Sequence, residues 1–159
     1  MATRARGDLL FFLDADSEIY ASALGRLVEA LAENPDAMFA YSMLAMHTDG
    51  VPSGLGSALP WEPERLRGGN YIEAMALIRR ADLMAMGGFA EDARLQGWED
   101  YDLWCRCADQ GRRGVLVPEI LVRSRTSDPS VARLHQVDNP AVTSLIRERS
   151  PSLFRSEGP

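Results

Sequence analysis

The sequence predicts an α/β fold, a mixed sheet flanked by helices. Apolar runs of strand length alternate along the chain with segments whose apolar residues recur at helical spacing. Hydrophobic residues make up 46% of the 159 residues and charged residues 25%, a balance typical of a chain that buries a core. We expect residues 1–137 to form one α/β domain and residues 138–159 to add a helix and a loose tail.

The first element is an uninterrupted apolar run from Leu9 to Leu13, which predicts a strand. Runs without polar alternation are typical of strands that are buried on both faces, as in a parallel sheet covered by helices. Such a strand should be central, yet no earlier element supplies a neighbour for it. The sequence is therefore interpreted as the later part of a larger α/β domain.

Helices and strands then alternate. Residues 21–33 have apolar residues at 3-4-3 spacing and predict a helix, which Asn34 and Pro35 end. Further strands are expected at residues 37–46, 74–78, 115–117 and 120–122, and further helices at residues 82–86, 99–110 and 141–149. Residues 47–70 look like one long loop, because glycine and proline recur there.

Composition argues against several classes of protein. All 17 basic residues are arginine, against 23 acidic residues, and the net charge of −6 argues against a general nucleic-acid-binding protein. No apolar stretch approaches the roughly 18–20 residues that span a bilayer. Cys105 and Cys107 would point about 200° apart on a helix, so they can neither pair with each other nor easily share a metal. Two thiols without a disulfide pattern favour a reducing compartment, and we expect the cytoplasm.

Asp14 and Asp16 directly follow the first strand. Ligands of open α/β sheets bind beyond the carboxyl ends of the strands. Two carboxylates one residue apart suit Mg²⁺ or Mn²⁺, which takes its other ligands from phosphate oxygens. The alternative is that these carboxylates only cap the helix that begins near Ala21. Their spacing alone does not decide between the two interpretations.

A second acidic cluster, residues 97–102, opens the helix expected at residues 99–110. The helix dipole favours acids in a first turn, so each acid could be a capping residue only. Trp98 adds another property, because a sugar site needs an aromatic face beside hydrogen-bond acceptors. A carboxylate within reach of a sugar hydroxyl can also act as a general base.

Taken together, the two clusters resemble family 2 glycosyltransferases of the GT-A fold. The run from Ala5 to Asp16 resembles the strand and DXD motif of that family. Residues 87–92 and 97–103 resemble its later GGF-E and GWEDxDL segments, the second of which also occurs in galactosyltransferase-type C-terminal domains. The resemblance covers about residues 5–125 and implies a partial GT-A fold that lacks the N-terminal nucleotide-binding half.

The resemblance implies a metal-dependent, inverting transfer of a sugar from a nucleotide-sugar donor to a hydroxyl of a saccharide, lipid or protein acceptor. Asp14 and Asp16 would hold the cation, Mn²⁺ or Mg²⁺, that bridges the donor diphosphate. Asp100 would take the proton of the acceptor hydroxyl, and Glu99 would contact the acceptor or the base. Trp98 would stack on the acceptor.

The resemblance also implies less specific positions. Gly97 would lie beside the acceptor, and Gly69 and Asn70 would lie close to the donor sugar. The family often has a histidine late in its sequence that completes the metal site. Ser127 stands at the matching position here, and Asp128 and His135 are candidate substitutes nearby.

Two other functions remain open. A non-catalytic saccharide-binding or assembly module, derived from a truncated glycosyltransferase, would use the cleft at Trp98 or an open sheet edge, as a homodimer or with the missing N-terminal half. A phosphate-hydrolysing metalloenzyme fits the acidic pair but lacks the further ligands of a two-metal site. The transferase interpretation requires the pair Asp14 and Asp16 to face a common cleft with the acids beside Trp98, Glu99 and Asp100.

Overall fold

The computed structural model describes residues 4–126 and 139–155. Within these ranges the strands are β1 (Leu9–Phe11), β2 (Ser17–Ile19), β3 (Ala37–Thr48), β4 (Val51–Gly56), β5 (Ala76–Arg79) and β6 (Arg113–Thr126). The helices are α1 (Ala23–Glu33), α2 (Arg80–Ala85), α3 (Glu99–Asp109), α4 (Pro140–Arg149) and α5 (Pro151–Phe154), with 3₁₀ turns at Pro63–Gly68 and Ala93–Leu95. The helices predicted at residues 21–33, 99–110 and 141–149 are confirmed to within two residues.

The described strands form one mixed sheet in the order β1-β5-β3-β6-β2, with β4 paired to β3. The long strands β3 and β6 run parallel at its centre, and the other pairs are antiparallel. Helix α1 packs on one face of the sheet through Ala23, Leu27 and Leu31. Helices α3 and α4 pack on the other face. The predicted fold class, a mixed sheet flanked by helices, is confirmed.

The position of α3 is fixed by Trp104. Its buried ring lies 4.5 Å, centroid to centroid, from the ring of Phe39 on β3. Its indole Nε1 donates a hydrogen bond to the carbonyl oxygen of Ile72 at 2.9 Å. The indole therefore buries a large apolar surface without leaving its polar atom unpaired. These contacts hold the start of α3 beside the segment that precedes β5.

Strand β1 lies at the edge of the described sheet, so the prediction that it is central is wrong for this structure. It pairs antiparallel with β5, with Leu10 opposite Ile78, and its three residues are only half-buried. Leu13, at the end of the apolar run, lies outside the strand and is 49% exposed. An apolar run shows how much side chain a strand can bury, but the partner strands determine its place in a sheet. Among the described residues no strand pairs with the outer edge of β1.

Residues 47–70 contain regular structure, so the prediction of one long loop is also wrong. Strand β3 continues to Thr48, and β4 folds back onto it. The turn between them has positive φ at Asp49 and Gly50, 52° and 81°. That is the geometry of a tight hairpin, for which an Asp-Gly pair is the strongest sequence signal. The two late apolar runs likewise form the single strand β6.

Cys105 and Cys107 on α3 are free, as their spacing predicts, and both are buried. No described helix is long and apolar enough to span a bilayer.

Gly114 on β6 marks a close approach within the sheet. A Cβ atom at this position would lie 2.4 Å from two ring carbons of the buried Phe39. We expect Gly114→Ala to lower the free energy of unfolding by about 1–3 kcal/mol, because the ring cannot shift freely in a packed core. Urea unfolding monitored by circular dichroism measures the change.

The matched control for that prediction is Gly25→Ala on α1. No neighbouring atom lies within 4 Å of a Cβ at this exposed position. Alanine is the better helix former, so this variant should gain about 0.5–1 kcal/mol. A Gly114→Ala protein as stable as the wild type would contradict the close packing of Phe39.

Candidate functional site

The two acidic clusters meet at one cavity of about 550 Å³. It is lined by the residues after β1, the segment before β5, the turn after α2 and the start of α3. Six of the residues predicted from the sequence line it: Asp14, Asn70, Gly97, Trp98, Glu99 and Asp100. Asp14 and Asp100 are 86 positions apart in the sequence (100 − 14). Asp14 therefore shares a cleft with Glu99 and Asp100, as the transferase interpretation requires, whereas Asp16 does not line it.

Asp100 is held by two hydrogen bonds on the half-buried wall of this cavity. The Asn70 amide donates to Oδ2 at 2.8 Å, and the Tyr101 backbone N–H donates to Oδ1 at 2.7 Å. Burial, and after it the negative charge of Glu73, raises the pKa of Asp100 to about 7 against the lowering effect of these hydrogen bonds. A carboxyl group that titrates near neutrality can both accept and release a proton at physiological pH.

Asp14 lies at the rim of the cavity, in the turn between β1 and β2. Its backbone carbonyl accepts the Ser17 N–H at 3.0 Å. Partial desolvation of its carboxyl group, and after it the negative charge of Asp16, raises the pKa of Asp14. Asp16 is exposed and does not line the cavity. Neither acid caps α1, because the N-cap residue of that helix is Ser22.

The two carboxylates can form part of a cation site. Their mutual repulsion is the electrostatic condition that a divalent cation relieves. Within residues 4–126 and 139–155 no group of three or more His, Cys, Asp or Glu side chains could hold a metal ion. A pair of carboxylates completed by phosphate oxygens is nevertheless a ligand set that Mg²⁺ accepts. Oxygens of a donor diphosphate would therefore have to complete any cation site at this pair.

The start of α3 brings Trp98 to the cavity through a left-handed turn. Gly97 has a φ of +80°, which glycine adopts without the steric cost that a side chain adds. The carboxylate of Glu99 accepts the N–H of Gly97 at 2.8 Å and so closes this turn. Trp98 is half-buried and packs edge-on against Tyr101, with 6.3 Å between the ring centroids.

Asp102, the third acid of this cluster, belongs to the core. It is fully buried, and its oxygens accept from Arg106 Nε at 2.8 Å and from Arg149 Nε on α4 at 2.5 Å. Arg106 also donates to the backbone carbonyls of Met86 and Gly88. Asp102 therefore ties α3 both to α4 and to the glycine turn that follows α2.

Two of the predicted site residues, Asp16 and Gly69, do not line this cavity. Gly69 lines a separate cavity of about 470 Å³, and Asn70 lies on the wall between the two. Ser127, which stands at the position of the family's histidine, and the candidate substitutes Asp128 and His135 fall outside the described residues.

Sequence reasoning missed five lining residues: Phe12, Glu73, Ala74, Phe89 and Ala90. Phe12 and Phe89 form an apolar wall, with their rings edge-on at 4.8 Å. Phe12, Phe89 and Ala90 lie within the motif segments at residues 5–16 and 87–92, whereas Glu73 lies in neither segment.

Comparison with known proteins agrees with this architecture. The family model described as Glycosyl transferase family 2 matches residues 1–90, more than half of the chain. The fold is similar to that of S. aureus TarS 1-349 in complex with UDP, with a TM-score of 0.55 and 15% sequence identity over 91% of this chain and 46% of that one. The chain thus spans about half of that structure, and the likeness identifies the fold as GT-A. A search of curated proteins finds no match. On the strength of the family match, the chain belongs to glycosyl transferase family 2.

Proposed function

We propose that this chain carries the catalytic cavity of a glycosyltransferase that moves a sugar from a nucleotide-sugar donor to an acceptor hydroxyl with inversion. One observation carries the proposal: Asp14 and Asp100, from distant parts of the sequence, line one cavity together with Trp98. Membership of the family supports the class of reaction. The titration of Asp100 near neutrality supports its role as the base.

Asp14 and Asp16 are proposed to hold a divalent cation, Mn²⁺ or Mg²⁺, together with the donor diphosphate. When bound, this cation stabilises the negative charge that develops on the leaving nucleoside diphosphate. Asn70, which lies on the wall between the two cavities, and Gly69, which lines the second, are proposed to lie near the donor sugar.

Asp100 is proposed to act on the acceptor. The acceptor oxygen forms its bond to the anomeric carbon on the face opposite to the diphosphate, while the bond from that carbon to the diphosphate oxygen breaks. The proton of the acceptor hydroxyl passes to the Asp100 carboxylate. Trp98 offers a ring on which a sugar can stack, with Gly97 beside it, and Glu99 is proposed to contact the acceptor or the base. No residue of this cavity indicates whether the acceptor is a saccharide, a lipid or a protein.

The alternative function is a non-catalytic saccharide-binding or assembly module. The outer edge of β1, which no described strand covers, favours this reading, because an open edge can pair with another chain. Light scattering combined with a transfer assay separates the two functions. A monomer that transfers sugar supports the enzyme, and an inactive self-associating chain supports the module.

Thermal unfolding with Mn²⁺ and UDP tests the donor site. We expect the two together to raise Tm by about 2–8 °C, and either one alone to raise it less, because each supplies ligands for the other. Asp14→Asn combined with Asp16→Asn should abolish the joint effect, since both carboxylates lose their charge.

The control for this experiment is Asp36→Asn. Asp36 is exposed, pairs with Arg113 and precedes β3, at the end of the sheet opposite to Asp14. This variant should keep the full joint shift. An undiminished joint shift in the double variant would show that the cation lies elsewhere.

A further inference from the structure

Glu73 is a second carboxylate in the cavity that contains Asp100. It lies on the segment between the 3₁₀ turn Pro63–Gly68 and β5, and it is half-buried. No role for it follows from the motifs of the sequence. Glu73 and Asp100 are 27 positions apart in the sequence (100 − 73), so only folding brings the two acids to one cavity.

Ser57 fixes the backbone at Glu73. It follows β4, is 5% exposed and has a positive φ of 49°, a conformation that is sterically unfavourable for a non-glycine residue. Its Oγ accepts the backbone N–H of Glu73 at 3.0 Å. The preceding Gly56 pairs with Leu44 on β3. A Cβ atom on Gly56 would lie 3.0 Å from the Leu44 side chain. The β3–β4 hairpin thus holds Ser57 in a strained conformation, and Ser57 holds Glu73.

We propose that Glu73 is a positioning residue for sugar transfer: with its backbone anchored by Ser57, it places its carboxyl group in the cavity with Asp100 and strengthens Asp100 as a base. The proposal rests on the proposed function of Asp100. A stronger base takes the acceptor proton more readily, and an ordinary carboxylate is a weak base at neutral pH.

The electrostatic surroundings of Asp100 support this assignment. The titratable groups that line the cavity with Asp100 or lie close to it along α3 are Glu73, Asp14, Glu99, Asp102, Tyr101 and Cys105. Burial raises the pKa of Asp100 most, and after it the negative charge of Glu73 raises it further. Asn70 acts in the opposite direction, because its amide donates to the ionised carboxylate. Glu73 therefore increases the proton affinity of Asp100, and Asn70 decreases it.

Carbon-13 NMR titration of the aspartate carboxyl groups tests the inference in the ligand-free protein. The Asp100 resonance is assigned by its absence from Asp100→Asn. Glu73→Gln should lower the titration midpoint of Asp100 by about 0.5–1 pH unit. Glu64→Gln, which neutralises an exposed acid outside the cavity, is the matched control and should leave the midpoint unchanged.

A second variant protects the test against misfolding. Ser57→Gly relieves the positive φ while removing the hydroxyl that accepts from Glu73, so it should fold and lower the Asp100 midpoint in part. Release of UDP from UDP-sugars in the presence of Mn²⁺ gives the functional readout, with water as the acceptor. In Glu73→Gln, the acid limb of the pH profile of kcat/KM should shift to lower pH together with the NMR midpoint of Asp100.

The possible outcomes are distinct. A lower midpoint with a parallel shift of the acid limb supports the inference. An unchanged midpoint in a folded Glu73→Gln protein overturns it and leaves the proposed role of Asp100 intact. A lower midpoint with an unmoved acid limb overturns the role of Asp100 as the base, and the inference with it.

Discussion

Asp102→Asn should lower the free energy of unfolding by about 3–5 kcal/mol, the typical penalty for leaving a buried charge without its partner. Asp102 is fully buried, and Arg106 is 8% exposed. Without the carboxylate charge, the Arg106 guanidinium would stay in the core with only neutral oxygens as acceptors, among them the carbonyls of Met86 and Gly88. Arg149 on α4 would lose its ion pair with α3 at the same time.

Urea unfolding of three variants measures this prediction. Asp36→Asn removes an exposed ion pair with Arg113 and should change stability by less than about 1 kcal/mol. Combining Asp102→Asn with Arg106→Met removes both buried charges and should recover part of the loss. A loss of less than about 1 kcal/mol for Asp102→Asn alone would show that the ion pairs contribute little to the packing of α3.

Asp100 and Asp102 lie in different environments because of helix geometry. Two positions separated by one residue point about 200° apart on an α-helix, so at most one of these acids could face the cavity. The motif resemblance marks both as important, and the same spacing argument that separates Cys105 from Cys107 separates them. The structure assigns Asp100 to the cavity and Asp102 to the core.

Other parts of the fold and the site depend on pairings that no local pattern encodes. The apolar run at the start predicts β1 itself, but its edge position depends on β5, which lies almost seventy residues later, counting from Leu9 to Ala76 (76 − 9 = 67). Asp14, Trp98 and Asp100 could be predicted because each stands next to a recognisable element boundary. Glu73 could not, because its importance arises from Ser57 and Asp100, which only the folded chain brings near it.

Asp100→Asn should reduce the rate of sugar transfer by about 10²–10⁴-fold, the usual contribution of a general base. The amide oxygen of the new side chain can still accept the hydrogen bond from Asn70, so the cavity should keep its shape. Release of UDP from UDP-sugars, compared with the wild type at equal concentration, measures the loss. Activity within tenfold of the wild type would exclude Asp100 as the base.

Asp100→Asn should also increase the free energy of unfolding. The sign of this change follows from the direction in which folding shifts the pKa of Asp100. Folding raises the pKa of Asp100 from 3.8 to about 7, so the folded state binds a proton that the unfolded state has released. The stability linked to this proton is fully present below the unfolded pKa and is lost as pH rises through the folded pKa. Asparagine does not titrate, so the advantage of Asp100→Asn over the wild type should grow by on the order of 2 kcal/mol between about pH 5 and about pH 8.

Asp92→Asn provides the opposite case as a control. Hydrogen bonds from Arg94 lower the pKa of Asp92 to about 2, so this carboxyl stays ionised in the folded state over the whole range of the experiment. Its replacement should change the Tm difference from the wild type little between those two pH values. A constant Tm difference for Asp100→Asn as well would mean that Asp100 is already ionised at the lower pH. The cavity would then hold an ordinary carboxylate, because only a group kept protonated by burial and by Glu73 can produce a pH-dependent gain.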